Sequence, residues 1–239
     1  MRANLTVPSL VDALAAAIRE RILTGDVPGG APLTEKEVST FYDVARPTAK
    51  AAIERLVYEG ILRRGPNKTA RVPLMDADDI RDLYYSRGFL EREVVAALAT
   101  ARMVPDEARA AIAQLHEAIR QEGAIAKTVQ ADITFHRSLV NALDSPRLTR
   151  MYRSVIGETH LCMAQVQAHH LLSPTIIAAE HEGIIQAISD ADPEAAADQV
   201  TRHLNRARTQ LASYVASDPA RAPGGDRPGP LAVPQLPTE

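Results

Sequence analysis

Apolar residues recur at helical spacing throughout residues 79–215, and signals for β-strands almost vanish there. Proline and N-cap residues mark several helix starts, as at Ser145-Pro146 and Asp192-Pro193. Helices whose apolar residues form one stripe bury that stripe against other helices, so we expect an all-helical bundle. The pattern predicts six or seven helices, at roughly 79–101, 105–122, 125–143, 145–170, 173–190 and 193–215.

Three of these helices place ionisable side chains on their apolar faces. Asp132 and His136 stand one helical turn apart, and His181 and His203 each complete the apolar stripe of a later helix. A single histidine on such a face is more often a packed core residue than a ligand. Three imidazoles and a carboxylate in one core need a shared partner, because burying an unpaired ionisable group is costly.

A divalent metal ion is a partner that satisfies all four groups together. Neutral imidazole and carboxylate suit zinc best, with nickel, manganese or iron as alternatives. Four protein ligands leave up to two positions open on an octahedral ion, so a small anion can bind there.

Composition narrows the class of protein and the compartment that we expect. Charged residues at 24% and hydrophobic residues at 46% are typical of a soluble globular protein. No apolar run approaches membrane-spanning length, and Met1–Leu10 has no secretory pattern. The lone Cys162 fits packing in a reducing compartment, so a cytoplasmic protein is expected.

Charge is divided unevenly along the chain. Residues 1–73 carry eleven Lys/Arg against eight Asp/Glu, a balance of +3, whereas the remaining residues sum to −6. A basic module joined to an acidic one favours nucleic-acid binding by the first, although a charge run is more often only a solvated face.

The basic segment has its own pattern. A first amphipathic helix spans about Leu10–Ile22, Thr34 and Glu37 form a capping box before a second with Val38 and Phe41 inward, and a third opens near Arg46-Pro47. Two short strands, Ile61–Arg64 and Thr69–Val72, flank hairpin turn chemistry at residues 65–68. Three helices closed by a basic hairpin predict a winged helix-turn-helix.

The fold class is therefore mainly α, an N-terminal winged helix-turn-helix followed by an all-helical bundle. We expect a DNA-binding domain at 1–73, a linker at 74–78, a metal-binding, effector-binding and dimerisation domain at 79–216 and a disordered Pro/Gly-rich tail at 217–239. The third helix would present Arg46 and Lys50 to the major groove, and the wing, armed by Arg63 among others, would lie along the phosphate backbone. The candidate DNA contacts are Thr34, Lys36, Arg46, Thr48, Lys50, Arg64, Lys68 and Arg71.

The chain resembles a GntR-family transcription regulator of the FadR subfamily, whose C-terminal half is an FCD ligand-binding domain. The resemblance spans Leu10 to Val215 and rests on Thr24-Gly25-Asp26-Val27-Pro28-Gly29, Leu33-Thr34-Glu35, the segments 45–53 and 55–60, and the later motifs around His136, His181 and His203. Lys50 stands where the family favours arginine, Ala45 where it favours serine and Thr69 where it favours glycine. Lysine cannot reproduce the bidentate fork of arginine, so the operator sequence is not implied.

The resemblance also implies ligands. Asp132, His136, His181 and His203 match the metal-binding set of many FCD domains, and Arg87 matches an arginine that contacts an effector carboxylate. The alternative for Arg87 is an i,i+4 pair with Glu91 on a solvated helix face. Arg137, Asn141 and His160 are further pocket candidates, with surface placement as the alternative for Arg137.

These features predict a DNA-binding repressor that acts as a homodimer on an operator with two-fold symmetry. A small carboxylate, an organic or sugar acid bound at the metal and Arg87, would release or modulate it. One alternative is a structural metal with a different effector. Another is a metal-dependent hydrolase, which the DNA-binding segment disfavours.

Overall fold

The computed structural model describes residues 9–64, 69–121, 125–166 and 171–218. Within these ranges the fold is mainly helical, as predicted. The helices are α1 (Leu10–Leu23), α2 (Glu35–Phe41), α3 (Arg46–Tyr58), α4 (Ala77–Thr100), α5 (Asp106–Arg120), α6 (Ile125–Asn141), α7 (Pro146–Gln165), α8 (Pro174–Ser189) and α9 (Pro193–Ala216). The strands are β1 (Pro32–Leu33), β2 (Arg63–Arg64) and β3 (Ala70–Arg71).

Helices α1 to α3 and the three strands form what we call the N-terminal module, residues 9–73. The strands make a small antiparallel sheet in the order β1-β3-β2, with Arg71 of β3 opposite Pro32 on one side and Arg63 on the other. Strand β1 was not predicted, because two residues are too short for an alternating pattern. The core of the module includes Ile18, Ile53 and Leu56.

Local sequence accounts for the helix starts in this module. Thr34 and Glu37 form the predicted capping box at α2, whereas Ala45 gives α3 no side-chain cap. The prediction that Phe41 faces inward is wrong, since 65% of this residue is exposed. Its ring instead contacts Tyr42 and lies under the guanidinium of Arg21, so a neighbouring cation and ring partner it at the surface.

Helices α4 to α9 form what we call the helical bundle, residues 77–216. Helix α4 packs chiefly along α9, and α5 packs on α6. Ser145 and Asp192 cap α7 and α9 as predicted, and Asp76 caps α4 with a capping box. Each cap satisfies an amide that the first helical turn leaves without a partner, which fixes where the helix begins.

Helix α7 lies between the two parts of the molecule. Its Tyr152 and Ile156 belong to the core of the helical bundle, whereas its Leu161 belongs to the core of the N-terminal module. The connection between the parts is also packed, because Met75 is fully buried. Lys68, His169, His170 and most of the predicted tail, residues 219–239, lie outside the described residues. No described helix has the length and apolarity needed to cross a bilayer.

Candidate metal centre

Three helices bring the four predicted ligands together. Asp132 and His136 lie on α6, His181 on α8 and His203 on α9, and none is more than 4% exposed. One ligand atom from each residue lies within 4.8 Å of all the others. Asp132 and His136 share a face because they are four residues apart, whereas the other two arrive only through helix packing.

Two carboxylates determine which ring nitrogen carries the proton in His136 and in His203. His136 Nδ1 lies 2.6 Å from Glu91 Oε2, and His203 Nδ1 lies 2.7 Å from Glu180 Oε2. An ionised carboxylate only accepts, so both Nδ1 atoms carry the proton and donate it, and both Nε2 atoms present a lone pair when the rings are neutral.

The two Nε2 atoms are 3.1 Å apart. Two lone pairs at this distance repel each other, and a cation between them removes the repulsion. Two nitrogens bound to one zinc ion at ~2.1 Å lie about 3.0–3.4 Å apart, which matches the separation of the His136 and His203 nitrogens.

His181 supplies a second observation that fits a metal. Its Nε2 lies 3.3 Å from Asp132 Oδ1, yet neither ring nitrogen makes a hydrogen bond of acceptable geometry. The ring stacks on Phe135 with centroids 3.8 Å apart, which fixes its plane. A buried imidazole without hydrogen bonds is costly, and a metal ion at Nε2 would satisfy it.

The electrostatics of the cluster suit metal binding. Burial lowers the pKa of His136, His181 and His203, so that these rings are neutral near pH 7. Burial alone would raise the pKa of Asp132, but His181 and the other imidazoles outweigh it and hold this pKa below its ordinary value. Three neutral imidazoles and one carboxylate are the ligand forms that divalent metals require.

Glu91 and Glu180, the carboxylates behind the histidines, were not predicted for this role. Burial would raise the pKa of each, but the cations and imidazoles around them lower it, in the case of Glu180 to about 2. The sequence held a signal for Glu91, because Ile80, Tyr84, Arg87, Glu91 and Val94 form one continuous inner stripe of α4. Carboxylates of this kind orient metal-binding imidazoles and raise their basicity.

Arg87 forms the predicted pair with Glu91, with 2.8 Å between Nε and Oε1, but the pair is in the core and not on a solvated face. Arg87 is 1% exposed, and its Nη2 has no hydrogen-bond partner. Tyr152 donates to the same Glu91 oxygen at 2.6 Å. A buried guanidinium nitrogen without a hydrogen-bond partner is costly, and an anion beside the four candidate ligands would satisfy it.

The other effector candidates do not join this cluster. Arg137 and His160 line a cleft of about 1420 Å³ between α1 and the face formed by α5, α6 and α7. The Arg137 side chain is 44% exposed and lies 3.6 Å from Glu107, so its predicted surface alternative describes it better. Asn141 is exposed at the end of α6. Burial, together with Arg19 and Arg137, lowers the pKa of His160 to about 4.

Two family models match the chain, one in each part of the molecule. The model described as "Bacterial regulatory proteins, gntR family" matches residues 10–72, and the model described as "FCD domain" matches residues 82–206, just over half of the chain. The chain belongs to the GntR family and carries an FCD domain. GntR-family proteins are transcriptional regulators rather than enzymes, and they bind DNA operators, typically as dimers.

Named relatives agree with this family. The "Probable D-xylose utilization operon transcriptional repressor" of Paenarthrobacter nicotinovorans is 25% identical over 203 residues, which cover 84% of this chain and 88% of that protein. An uncharacterized HTH-type transcriptional regulator of Streptomyces ambofaciens is 23% identical, with 86% and 89% covered.

Solved structures show the same fold. A GntR regulator structure from Rhodococcus sp. RHA1 has a TM-score of 0.72 and 25% identity, and the alignment covers 86% of this chain and 98% of that one. The metal-free FCD domain of TM0439 has a TM-score of 0.52 and 15% identity, with 61% and 99% covered.

In this GntR-family chain, the predicted DNA contacts on α2 and α3 differ in exposure and in how far other contacts already engage them. Arg46, Lys50 and Lys36 are exposed, and within the described residues no ion pair of theirs is found. Thr34 is engaged in its own helix cap, because its hydroxyl donates to Glu37 Oε2 at 2.7 Å. Thr48 is half-buried in the first turn of α3.

The wing arginines of the GntR module are already engaged. Arg64 pairs with Glu54 of α3, and Arg71 donates to the carbonyl of Gly30 at 3.1 Å. Arg63, which was expected to arm the wing, points the other way: its Nη2 lies 2.7 Å from Glu158 of α7. Its strand position did not predict this contact, because the partner comes from the helical bundle.

Proposed function

We propose that this GntR-family regulator senses a small carboxylate through a divalent metal ion held by Asp132, His136, His181 and His203. The observation that carries the proposal is the 3.1 Å between the Nε2 atoms of His136 and His203, two rings whose Nδ1 atoms each face a carboxylate. FCD domains can bind metal, which supports the same assignment. Zinc suits the ligand set best.

The effector would bind where the metal and Arg87 meet. The metal would supply a Lewis-acidic position for one carboxylate oxygen, and the unpartnered Nη2 of Arg87 would donate to the carboxylate. Glu91 holds both Arg87 and His136, so the anion would bind within one connected network. A sugar acid or a small organic acid carries the carboxylate that this arrangement would bind.

We propose that the regulator binds DNA as a homodimer, on an operator with two-fold symmetry. Arg46 and Lys50 would face the major groove from α3, and Lys36 the adjacent phosphates, because these cations are exposed and uncommitted. We assign repression as the sign of regulation, because the Paenarthrobacter relative is named as a probable repressor. The effector must prefer one of two states of the dimer to change operator affinity.

The test uses full-length protein and an operator selected by that protein from random DNA. Operator affinity is measured for zinc-loaded and chelator-treated protein, with and without malate or D-gluconate, and zinc content is measured by elemental analysis. We expect an acid to weaken operator binding only when zinc is present. His181→Ala should remove both the zinc and the response, whereas the matched variant His116→Ala, at an exposed histidine, should keep both.

Each part of the proposal has its own contradicting result. An acid response of equal size in chelator-treated protein would separate the effector from the metal. Full zinc content in His181→Ala would refute the ligand set. Zinc that stays bound but changes neither the operator affinity nor the acid response would show a structural metal.

A further inference from the structure

Helix α7 carries two stripes that face different partners. Tyr152, Ile156, Thr159 and Met163 recur at intervals of three or four residues and are buried, and Tyr152, Ile156 and Met163 belong to the core of the helical bundle. Gly157 and Leu161, four residues apart, face the N-terminal module. A helix that is buried on two sides by two different cores transmits a displacement from one to the other, because packed interiors deform little.

The N-terminal half of α7 reaches the candidate metal centre through a single carboxylate, that of Glu91. Tyr152 Oη donates to Glu91 Oε1 at 2.6 Å, and the other oxygen of Glu91 accepts from His136 Nδ1 at 2.6 Å. All three side chains are buried. The position of Tyr152 is therefore fixed by the same group that orients a proposed metal ligand.

About 7.5 Å further along the helix axis, α7 meets the end of α3 backbone to backbone. A Cβ built on Gly157 would lie 1.9 Å from the carbonyl oxygen of Glu59, and one on Gly60 would lie 2.7 Å from the carbonyl oxygen of Ser154. Gly60 also has a φ of +73°, which ends α3. Only glycine allows this approach from both sides.

Polar contacts fasten the same helix to the module and to the connection. Glu158 Oε2 accepts from Arg63 of β2 at 2.7 Å, and Arg63 also contacts Asp79 of α4 at 3.3 Å. Gln165 Oε1 accepts from the Met75 amide at 3.2 Å, and its Nε2 donates to the Pro73 carbonyl.

We infer that α7 is the mechanical link between the metal centre and the DNA-binding module: a change at His136 shifts Glu91 and Tyr152, and α7 carries the shift through Gly157 to the end of α3. This regulation rests on the proposed function, because the metal centre supplies the input. The output is the orientation of α3, which carries Arg46 and Lys50.

Hydrogen exchange of the full chain, zinc-loaded against chelator-treated, tests the link in the wild type and three variants. In the wild type, zinc should slow exchange in peptides around Glu91 and also in peptides covering residues 57–64. Gly157→Ala should keep the first effect and lose the second, because its methyl group collides with a backbone carbonyl that cannot rotate away. The matched control Gly88→Ala, in a helix and with open space around its methyl group, should keep both effects.

Glu158→Gln guards against a folding defect in Gly157→Ala. This variant removes only the charge of Glu158, one of the two carboxylates that Arg63 contacts, and it should reduce the zinc effect at residues 57–64 without abolishing the effect near Glu91. A zinc effect near Glu91 with none at 57–64 in the wild type, or an unchanged effect at 57–64 in both α7 variants, would overturn the link and leave the metal centre standing. No zinc bound to the wild type would overturn both.

Discussion

The two parts of the molecule keep their charges in opposite surroundings. The N-terminal module displays Arg46 and Lys50 on the surface of α3, whereas the helical bundle buries Arg87, Glu91 and the four candidate metal ligands out of contact with water. Exposed cations act at long range and in a salt-dependent way, which suits capture of a DNA backbone. Buried charges act only at contact distance, which suits recognition of a small ion or acid.

The same difference in burial determines which charges contribute to the stability of the fold. A surface charge remains hydrated with or without its partner, so it contributes little to folding. A buried charge without its partner is not hydrated, so its removal or exposure is costly. Mutations in the two parts should therefore separate into effects on folding and effects on binding.

The largest expected effect is a loss of stability when a buried charge of the helical bundle is removed. Glu91→Ala leaves the Arg87 guanidinium buried without its carboxylate, so it should lower the free energy of unfolding by about 3–5 kcal/mol. Urea denaturation of the metal-free protein measures this change. Glu93→Ala, an exposed carboxylate on the same helix, should change it by less than about 0.5 kcal/mol. Equal shifts in the two variants would erase the distinction between buried and exposed charge.

The next largest effect is a loss of operator affinity when an exposed cation of the N-terminal module is removed. Arg46→Ala should weaken binding to the selected operator by about 1–3 kcal/mol, roughly 5- to 150-fold, with little change in unfolding. Fluorescence anisotropy at fixed salt measures the affinity. Arg102→Ala, on the helical bundle, is the control. An unchanged binding curve for Arg46→Ala would remove this residue from the DNA interface.

The effect that is smallest at neutral pH lies in the cleft between the two parts, because it appears only as the pH falls. The pKa of His160 is about 4 in the folded protein, lowered by burial and by Arg19 and Arg137, against an ordinary value of 6.5. The unfolded chain therefore binds the proton first, so this residue makes stability fall as the pH drops from 6.5 toward 4, by at most about 1.4 kcal/mol per pH unit.

His160→Gln should make the stability curve shallower in that range. Urea midpoints measured at several pH values between 6.5 and 4 give the slope for each protein. A steeper curve in the variant would contradict the sign, and an identical curve would mean that His160 is not shielded from water in the cleft.

Much of this architecture is encoded locally. Helix starts at Ser145 and Asp192 follow from cap chemistry, and the four metal-cluster residues follow from helical periodicity, which places each on a buried face. The convergence of α6, α8 and α9 on one point does not follow from spacing within any one helix. It came instead from a resemblance to a family with that arrangement.

The contacts of Arg63 and His136 that sequence reasoning missed are made with distant parts of the chain. Arg63 turns to Glu158, 95 residues away, and His136 finds Glu91, 45 residues away. Such pairs depend on how helices pack, which single-helix periodicity does not contain. Arg87 and Glu91 are an instructive middle case, because i,i+4 spacing predicts the pair but only the full stripe of α4 predicts its burial.

The contact between Gly157 and Glu59 has one more consequence. Where side chains separate two helices, a small movement of one is absorbed as rotamers adjust and little of it reaches the other. Here peptide backbone meets peptide backbone, and there is no side chain between them to take up slack. A shift of α7 at this point therefore cannot be absorbed by rotamer changes there, and the end of α3 has to shift with it.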